Sequence, residues 1–472
     1  MRALIRIACL LLSAGSISGP HARQASPAGE VERLLQLHRQ SPGDWKVCHQ
    51  LGLAYTQLQQ LEKALEFYQK AVKLYPEFLP ARKNSAVVLW FLKRKQEAEQ
   101  QFLSLVKLIP GDPVPHLYLG LAAHERGEFP AAKAHFDKAG DLATGNPEVL
   151  PAVLESYLAS HDDSLPARLL GRLQEAAKPD PQLTFAAGSL FGRYGKHREA
   201  VACLEKIVAV NAAGANVYIA LGEAYDKLGL AEKAYASLAK AIEMAPRSED
   251  AYLALAGFST AHQNNEYALK ILNTGLEKVP DSPRLLHQRG VALALLGNQE
   301  EAAKSLRRAS GLDPAWADPL LALGVSLLER GRYDEAADSF RQAARTAPED
   351  FRAEYLLATA LKRTGDPARR DETISALRKA VSLKPGDARP RALLGQSYLE
   401  AGRLSDAAAE LEQSIRIDPE NTTALYQLGL LHRDLGNRDE SRSYFKRFEE
   451  VKAKQKANEG DLIQILRVVT EK

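Results

Sequence analysis

From residue 45 onward the chain repeats itself every 34 residues. Units begin at 45, 79, 113, 147, 181, 215, 249, 283, 317 and 351 without a slip, and a three-residue insertion in the tenth moves the next starts to 388 and 422. A fixed period of this length marks an architecture in which one supersecondary unit buries its apolar face against the next. With 472 residues there is room for two to four ordinary domains or for one elongated array, and the period selects the array.

Each unit carries two apolar patterns of helical spacing, separated by a short polar turn such as "KLGL" or "ERGR". Counting the first residue of a unit as slot one, slot eight is small (Gly52, Ala86, Gly120, Gly188, Gly222, Ala256, Gly290, Gly324, Ala358, Gly395, Gly429) except at Leu154. Slot twenty is alanine in most units, from Ala64 to Ala407, with Pro166, Thr373 and Ser441 as departures. Glycine inside a helix costs about 1 kcal/mol relative to alanine, so its recurrence at one slot requires a packing reason. The expected reason is that slot eight of the first helix meets alanine of the second, letting the backbones approach. Larger residues such as Tyr55 and Tyr68, Tyr225 and Leu238, or Leu327 and Phe340 would fill the space on either side. A late proline (Pro76, Pro110, Pro246, Pro280, Pro314, Pro348, Pro385, Pro419) cannot continue the second helix and sets the turn into the next unit.

The stretches "LGLAYTQLQQLEKALEFYQKAVKLYP" at 51–76, "ALGEAYDKLGLAEKAYASLAKAIEMAP" at 220–246 and "ALGVSLLERGRYDEAADSFRQAARTAP" at 322–348 resemble the tetratricopeptide repeat (TPR). The resemblance covers residues 45–455 and implies an all-α fold, a right-handed α-solenoid (superhelix) of about twelve helix–turn–helix units with first helices lining a concave groove. It also implies a role as a protein-binding scaffold. The fourth unit, 147–180, departs from the pattern at Leu154, Pro166 and Lys178, leaving a hinge or ordinary drift as its two readings. Asn146 and Pro147 predict a helix N-cap followed by proline at the first helical position. The tenth unit contains the longer polar loop "TGDPARRDET" at 364–373, either a contact loop or a neutral insertion.

Arg2 and Arg6, followed by a mostly apolar run from Ile7 to Ile17 and then Gly19-Pro20, have the plan of a secretory signal peptide over residues 1–25, with an uncleaved membrane anchor as the alternative. The mature chain shows no transmembrane segment. Residues 26–44 predict an N-terminal capping helix and 456–472 a C-terminal one, since a solenoid must cover its open ends. Export leaves Cys48 and Cys203, expected as two buried small hydrophobes rather than a disulfide.

The implied hairpin geometry turns slots five, nine and twelve of each first helix toward the groove. The candidate partner-binding residues there are His49, Lys83, Trp90, His124, Phe185, Glu223, His287, Tyr355 and Tyr426, among aliphatic neighbours such as Leu53, Leu253 and Val325. Such a surface favours a protein or peptide with an apolar or amphipathic segment, and its large aromatics are the strongest anchors. The family's chaperone-tail carboxylate clamp is not matched, because His49 and Leu53 stand where it needs Lys and Asn. The asparagine ladder of the glycosyltransferase superhelix is also absent, since Tyr118, Ala186 and Leu356 occupy its slot.

Outside the first 25 residues basic and acidic side chains are equal in number, so nothing suggests nucleic acid as a partner. The chain has no HExxH, CxxC, GxSxG or phosphate-cradling glycine loop. His116 and His124 are too far apart along one helix to share a metal without another segment. The expectation is a non-enzymatic scaffold without cofactor or metal, exported and acting in assembly or secretion at a bacterial cell envelope, periplasmic or outer-membrane-associated. The alternatives are an accessory subunit of an enzyme complex, a hydrolase using His161, Asp162 or Asp163, and a carbohydrate- or lipid-binding solenoid. Oligomeric state is not encoded in any of these features.

Overall fold

The computed structural model describes residues 27–178 and 180–455. The expected signal peptide and the C-terminal capping helix lie outside them. The chain divides into two compact units, residues 1–230 and 231–472. No strand occurs among the described residues.

The first unit opens with α1 (Pro27–Gln40). Hairpins follow: α2 (Trp45–Gln57) with α3 (Leu61–Leu74), α4 (Leu79–Phe91) with α5 (Lys95–Leu108), and α6 (Pro113–Glu125) with α7 (Phe129–Ala139). A single-turn α8 (Asp141–Thr144) precedes α9 (Leu150–Ala159) with α10 (Ser164–Glu175) and α11 (Pro181–Arg193) with α12 (His197–Ala209); α13 (Ala215–Lys227) ends the unit. The second unit begins at α14 (Ala231–Met244), so the division falls between the helices of the sixth repeat. It continues with α15 (Glu249–Ala261) and α16 (Asn265–Lys278), α17 (Pro283–Leu295) and α18 (Gln299–Leu312), α19 (Asp318–Glu329) and α20 (Tyr333–Thr346). Then come α21 (Phe351–Arg363) and α22 (Arg370–Leu383), α23 (Ala388–Glu400) and α24 (Leu404–Ile417), α25 (Thr422–Asp434) and α26 (Arg438–Gln455). Within each unit a helix packs on those next to it and next but one in sequence, the pattern of a stacked-repeat fold.

Three local devices recur. The residue before a first helix often caps it: Asp44 Oδ1 accepts from Lys46 N at 2.8 Å, Asp180 Oδ1 from Gln182 N at 2.8 Å, and Asn421 Oδ1 from Ala424 N at 3.0 Å. The turn between the two helices passes through the left-handed region at slot fifteen in every repeat. Glycine holds that slot in eight repeats, from Gly127 to Gly436, but Gln59, Lys93, His161 and Gln263 adopt φ of 59°, 62°, 55° and 60°.

The third device corrects the expected partner of slot eight. Glycine there meets the side chain at slot twenty-four of the second helix, rather than alanine at slot twenty. A β-carbon at Gly52 would lie 2.5 Å from Cδ1 of Tyr68, one at Gly120 2.6 Å from Cε1 of Phe136, and one at Gly395 2.5 Å from Cγ of Leu411. Each of these large side chains is fully buried (Tyr68 0%, Phe136 1%, Leu411 0% exposed). The glycine makes a flat on the first helix into which a ring or isobutyl group sinks, while Ala64, Ala132 and Ala407 are fully buried on the facing second helices.

The helix α1 lies where a capping helix was expected, burying Val31 and Leu34 against α2. In the fourth repeat Asn146 does not cap a helix beginning at Pro147. Its Oδ1 accepts from Glu148 N at 3.0 Å, closing a turn, and the helix starts at Leu150. The extra turn of α8, entered through Gly140 at φ 54°, displaces that start. Pro166 sits near the start of α10, where it is tolerated. The expected loop at 364–373 is shorter than predicted. Gly365 turns at φ 70°, Asp366 caps a 3-10 turn (Pro367–Arg369), and α22 begins at Arg370. Both cysteines are free and buried, and burial raises both thiols, Cys203 to about 12.

Candidate functional site

In the first unit, His49, Lys83, Trp90, His124, Glu155 and Phe185 are half-buried at slots five, nine and twelve of their first helices. His49 packs against Tyr68 and edge-on to Phe78, with centroids 5.7 and 4.9 Å away. Asn84 Nδ2 donates to its Nε2 at 3.1 Å. Burial lowers the imidazole to about 4, so the ring is neutral and able to accept that bond. Lys83 reaches the N-cap of α6, pairing with Asp112 at 2.9 Å. Trp90 packs on Tyr118 at 5.5 Å, with Lys95 Nζ 5.1 Å from its ring centroid.

His124, Glu155, Arg193 and Tyr194 form the densest polar group on these helices. His124 Nε2 lies 3.1 Å from one oxygen of Glu155, while Arg193 donates to the other at 2.8 Å and Tyr194 Oη at 3.4 Å. Burial, together with the Glu155 charge and hydrogen bond, raises the Tyr194 phenol. Three consecutive first helices, α6, α9 and α11, are thus tied through one carboxylate. Glu155 was absent from the expected groove because its repeat is the one that departs from the pattern; slot nine was the signal that marked it. Phe185 is half-buried on α11. Glu223 is exposed on α13, with its carboxyl raised by desolvation and held back by Lys227.

In the second unit His287 packs on Trp316 at 4.8 Å. Tyr355 is half-buried with the Arg389 guanidinium 6.0 Å from its ring, and burial raises its phenol. Tyr426 is exposed and contacts Phe445 and Phe448 at 5.8 and 5.3 Å. These three belong to separate repeats and are not in contact through any ring pair. A ladder at slot two links first helices here instead. Arg284 pairs with Asp250 at 2.7 Å, and Arg352 with Asp318 at 2.8 Å and with Asp350 at 2.6 Å. Its sequence signal is the alternation Asp250, Arg284, Asp318, Arg352, one per repeat.

No group of three His, Cys, Asp or Glu side chains able to hold a metal ion occurs among the described residues. His116 pairs with His135 rather than His124. Its Nε2 faces the Pro110 carbonyl at 3.1 Å and must carry a proton there, so Nδ1 accepts from His135 Nδ1 at 3.0 Å. Around the fourth repeat, Asp162 caps Ser164 N at 2.9 Å and pairs with Lys133 at 2.9 Å, and Asp163 pairs with Lys196 at 2.7 Å. Hydrogen bonds from Ser164 and Lys133 lower Asp162 to about 2. These carboxylates are anchored in a turn by a backbone cap and two lysine pairs. Among the described residues no helix is long and apolar enough to cross a membrane.

Family models described as tetratricopeptide repeat match residues 45–78, 113–138, 229–288, 283–315, 321–388 and 392–457, together more than half of the chain. Among curated proteins the chain is similar to the Protein CTR9 homolog of Arabidopsis thaliana, 25% identical over 302 residues, covering 62% of this chain and 27% of that protein. It is also similar to the BBSome complex member BBS4 of Mus musculus, 26% identical over 108 residues, covering 23% of this chain and 21% of that one. The chain therefore spans about a quarter of the length of these relatives. Among solved structures, yeast Tom70 superposes with a TM-score of 0.41 at 15% identity, covering 90% of this chain and 94% of that one. With the repeat models matched along most of the helical series, the chain belongs to the tetratricopeptide repeat family.

Proposed function

We propose that this chain is a non-catalytic scaffold that binds a protein or peptide partner along the first-helix face, in assembly or secretion at a bacterial cell envelope. The observation that carries the reading is the character of slots five, nine and twelve in the first unit. Trp90 offers an exposed part of its indole between Tyr118 and Lys95, one repeat before the His124–Glu155–Arg193 group. An amphipathic segment with an apolar anchor and polar flanks suits an aromatic plate beside ionic groups. Export is supported by the arginines and apolar run of residues 1–17.

The test places a photo-crosslinking amino acid at Trp90 and, as a control, at Leu103, which is 47% exposed on a second helix. Each variant is irradiated with a bacterial envelope fraction. A discrete protein adduct from position 90 that is missing from position 103, and that competes with unlabelled wild-type chain but not with its Trp90→Ala variant, supports the reading. Equal adducts from both positions, or equal competition by W90A, sinks it.

A further inference from the structure

A pocket of about 340 Å³ opens between α3, α4 and α5, lined by Val72, Lys73, Arg82, Ser85, Gln101 and Leu105 among others. It is separate from the partner face: at 3.6 residues per turn Arg82 and Ser85 share one side of α4, whereas Lys83, Val87 and Trp90 share another. Two polar atoms in this pocket are buried without a hydrogen-bond partner among the described residues, Arg82 Nε and Ser85 Oγ. Ser85 is only 2% exposed. A buried donor left unsatisfied loses its hydration without a replacement, and the loss is greater when it is charged, so two in one cavity require an explanation.

The other repeats show what is unusual here. Slot seven holds leucine at Leu51, Leu119, Leu221, Leu255, Leu323 and elsewhere, and Ser85 replaces that side chain with a hydroxyl, opening the space. Slot four faces slot twenty-three of the same hairpin. In the eleventh repeat this pair is Arg391 and Glu410, bonded at 2.7 Å, and in the third it is His116 and His135. In the second repeat the same slots hold Arg82 and Gln101. The arginine is kept and its carboxylate is replaced by a neutral amide, while Lys73 on the rim adds a second cation. Neither Arg82 nor Lys73 forms an ion pair with a described residue.

We infer that this pocket binds a small organic anion, a carboxylate or phosphate head on a short aliphatic stem. The head takes charge-assisted hydrogen bonds from Arg82, with Ser85 and Gln101 as further donors and Lys73 at the rim. The stem lies against Val72 and Leu105. The volume exceeds that of a bare oxyanion, and the apolar wall gives the stem its place.

The experiment is calorimetric titration of the full chain, at low ionic strength, with hexanoate, butyl phosphate and inorganic phosphate. At least one organic anion is expected to bind with Kd on the order of 1 mM or tighter. The head group that binds identifies the chemistry. Gln101→Glu rebuilds the pair seen at Arg391 and Glu410; it is expected to raise the thermal midpoint and weaken binding about tenfold or more. Ser85→Leu, which restores the usual leucine, is expected to do the same by filling the space. Absence of binding by both organic anions, binding of inorganic phosphate as tight as theirs, or undiminished binding in folded Q101E and S85L overturns the inference.

Discussion

A β-carbon on residue 52 would fall 2.5 Å from Cδ1 of Tyr68, so Gly52 and the tyrosine ring occupy one another's space by design of the hairpin. The ring is fully buried and its hydroxyl meets Thr56 Oγ1 at 3.2 Å, so it cannot swing aside without losing both packing and that bond. Gly52→Ala is therefore expected to destabilise the chain by roughly 1–3 kcal/mol although alanine is the better helix former. A lowered denaturation midpoint checks this; an unchanged or raised one shows that the hairpin yields.

The pH response of the first hairpin follows from His49. Folding lowers this imidazole from its ordinary 6.5 to about 4 because burial disfavours the cation. The unfolded chain therefore takes up the proton first. The contribution is whole above about pH 6.5, falls as the pH is lowered toward 4, and reaches a loss of roughly 2–3 kcal/mol. Denaturant titrations between pH 4 and 7 on wild type and His49→Gln should show a steeper decline in the wild type, and parallel curves would refute the assignment.

Four turns within hairpins place a side-chain-bearing residue in the left-handed region, and Lys93 at φ 62° is one of them. Lys93→Gly relieves that conformation at a site where eight other repeats already use glycine. The expected gain is about 0.5–1 kcal/mol, read as a rise in the denaturation midpoint. The same change one residue later, at Arg94, should remove its bonds to Glu97 and give no gain.

Arg352 is buried, its guanidinium shared between Asp318 of the preceding repeat and Asp350, the N-cap of its own helix α21. A double-mutant cycle with Asp318→Ala and Arg352→Ala should give a coupling energy of about 1–2 kcal/mol, since Asp350 remains as a second partner when Asp318 is removed. Additive effects would mean that the inter-repeat pair contributes nothing net.

The hairpin series was legible because the same pattern is written many times, and a period survives local departures. What the small residues touch was not legible. The pattern marks Gly52 and Ala64 as positions needing little volume, but only the coordinates show that Tyr68 uses the space. The left-handed turn slot was hidden where Gln59, Lys93, His161 and Gln263 hold it, because those residues do not advertise positive φ. Glu155 escaped for a different reason. It lies in the repeat whose other slots break the rule, so its match at slot nine carried little weight, yet three helices converge on it. The pocket at Arg82 was missed because the two changes that open it, at slots seven and twenty-three, each look like the ordinary drift of a repeat.

Because helices within a unit pack on near neighbours in sequence, those of the same repeat or of the adjoining ones, no contact requires a distant part of the chain to have been made first. During synthesis, a hairpin leaving the ribosome already has behind it the surface on which it will settle. Such a chain can harden progressively from its first-made end. An interruption in translation would strand an ordered stub ending in one sticky apolar face, rather than a molten whole.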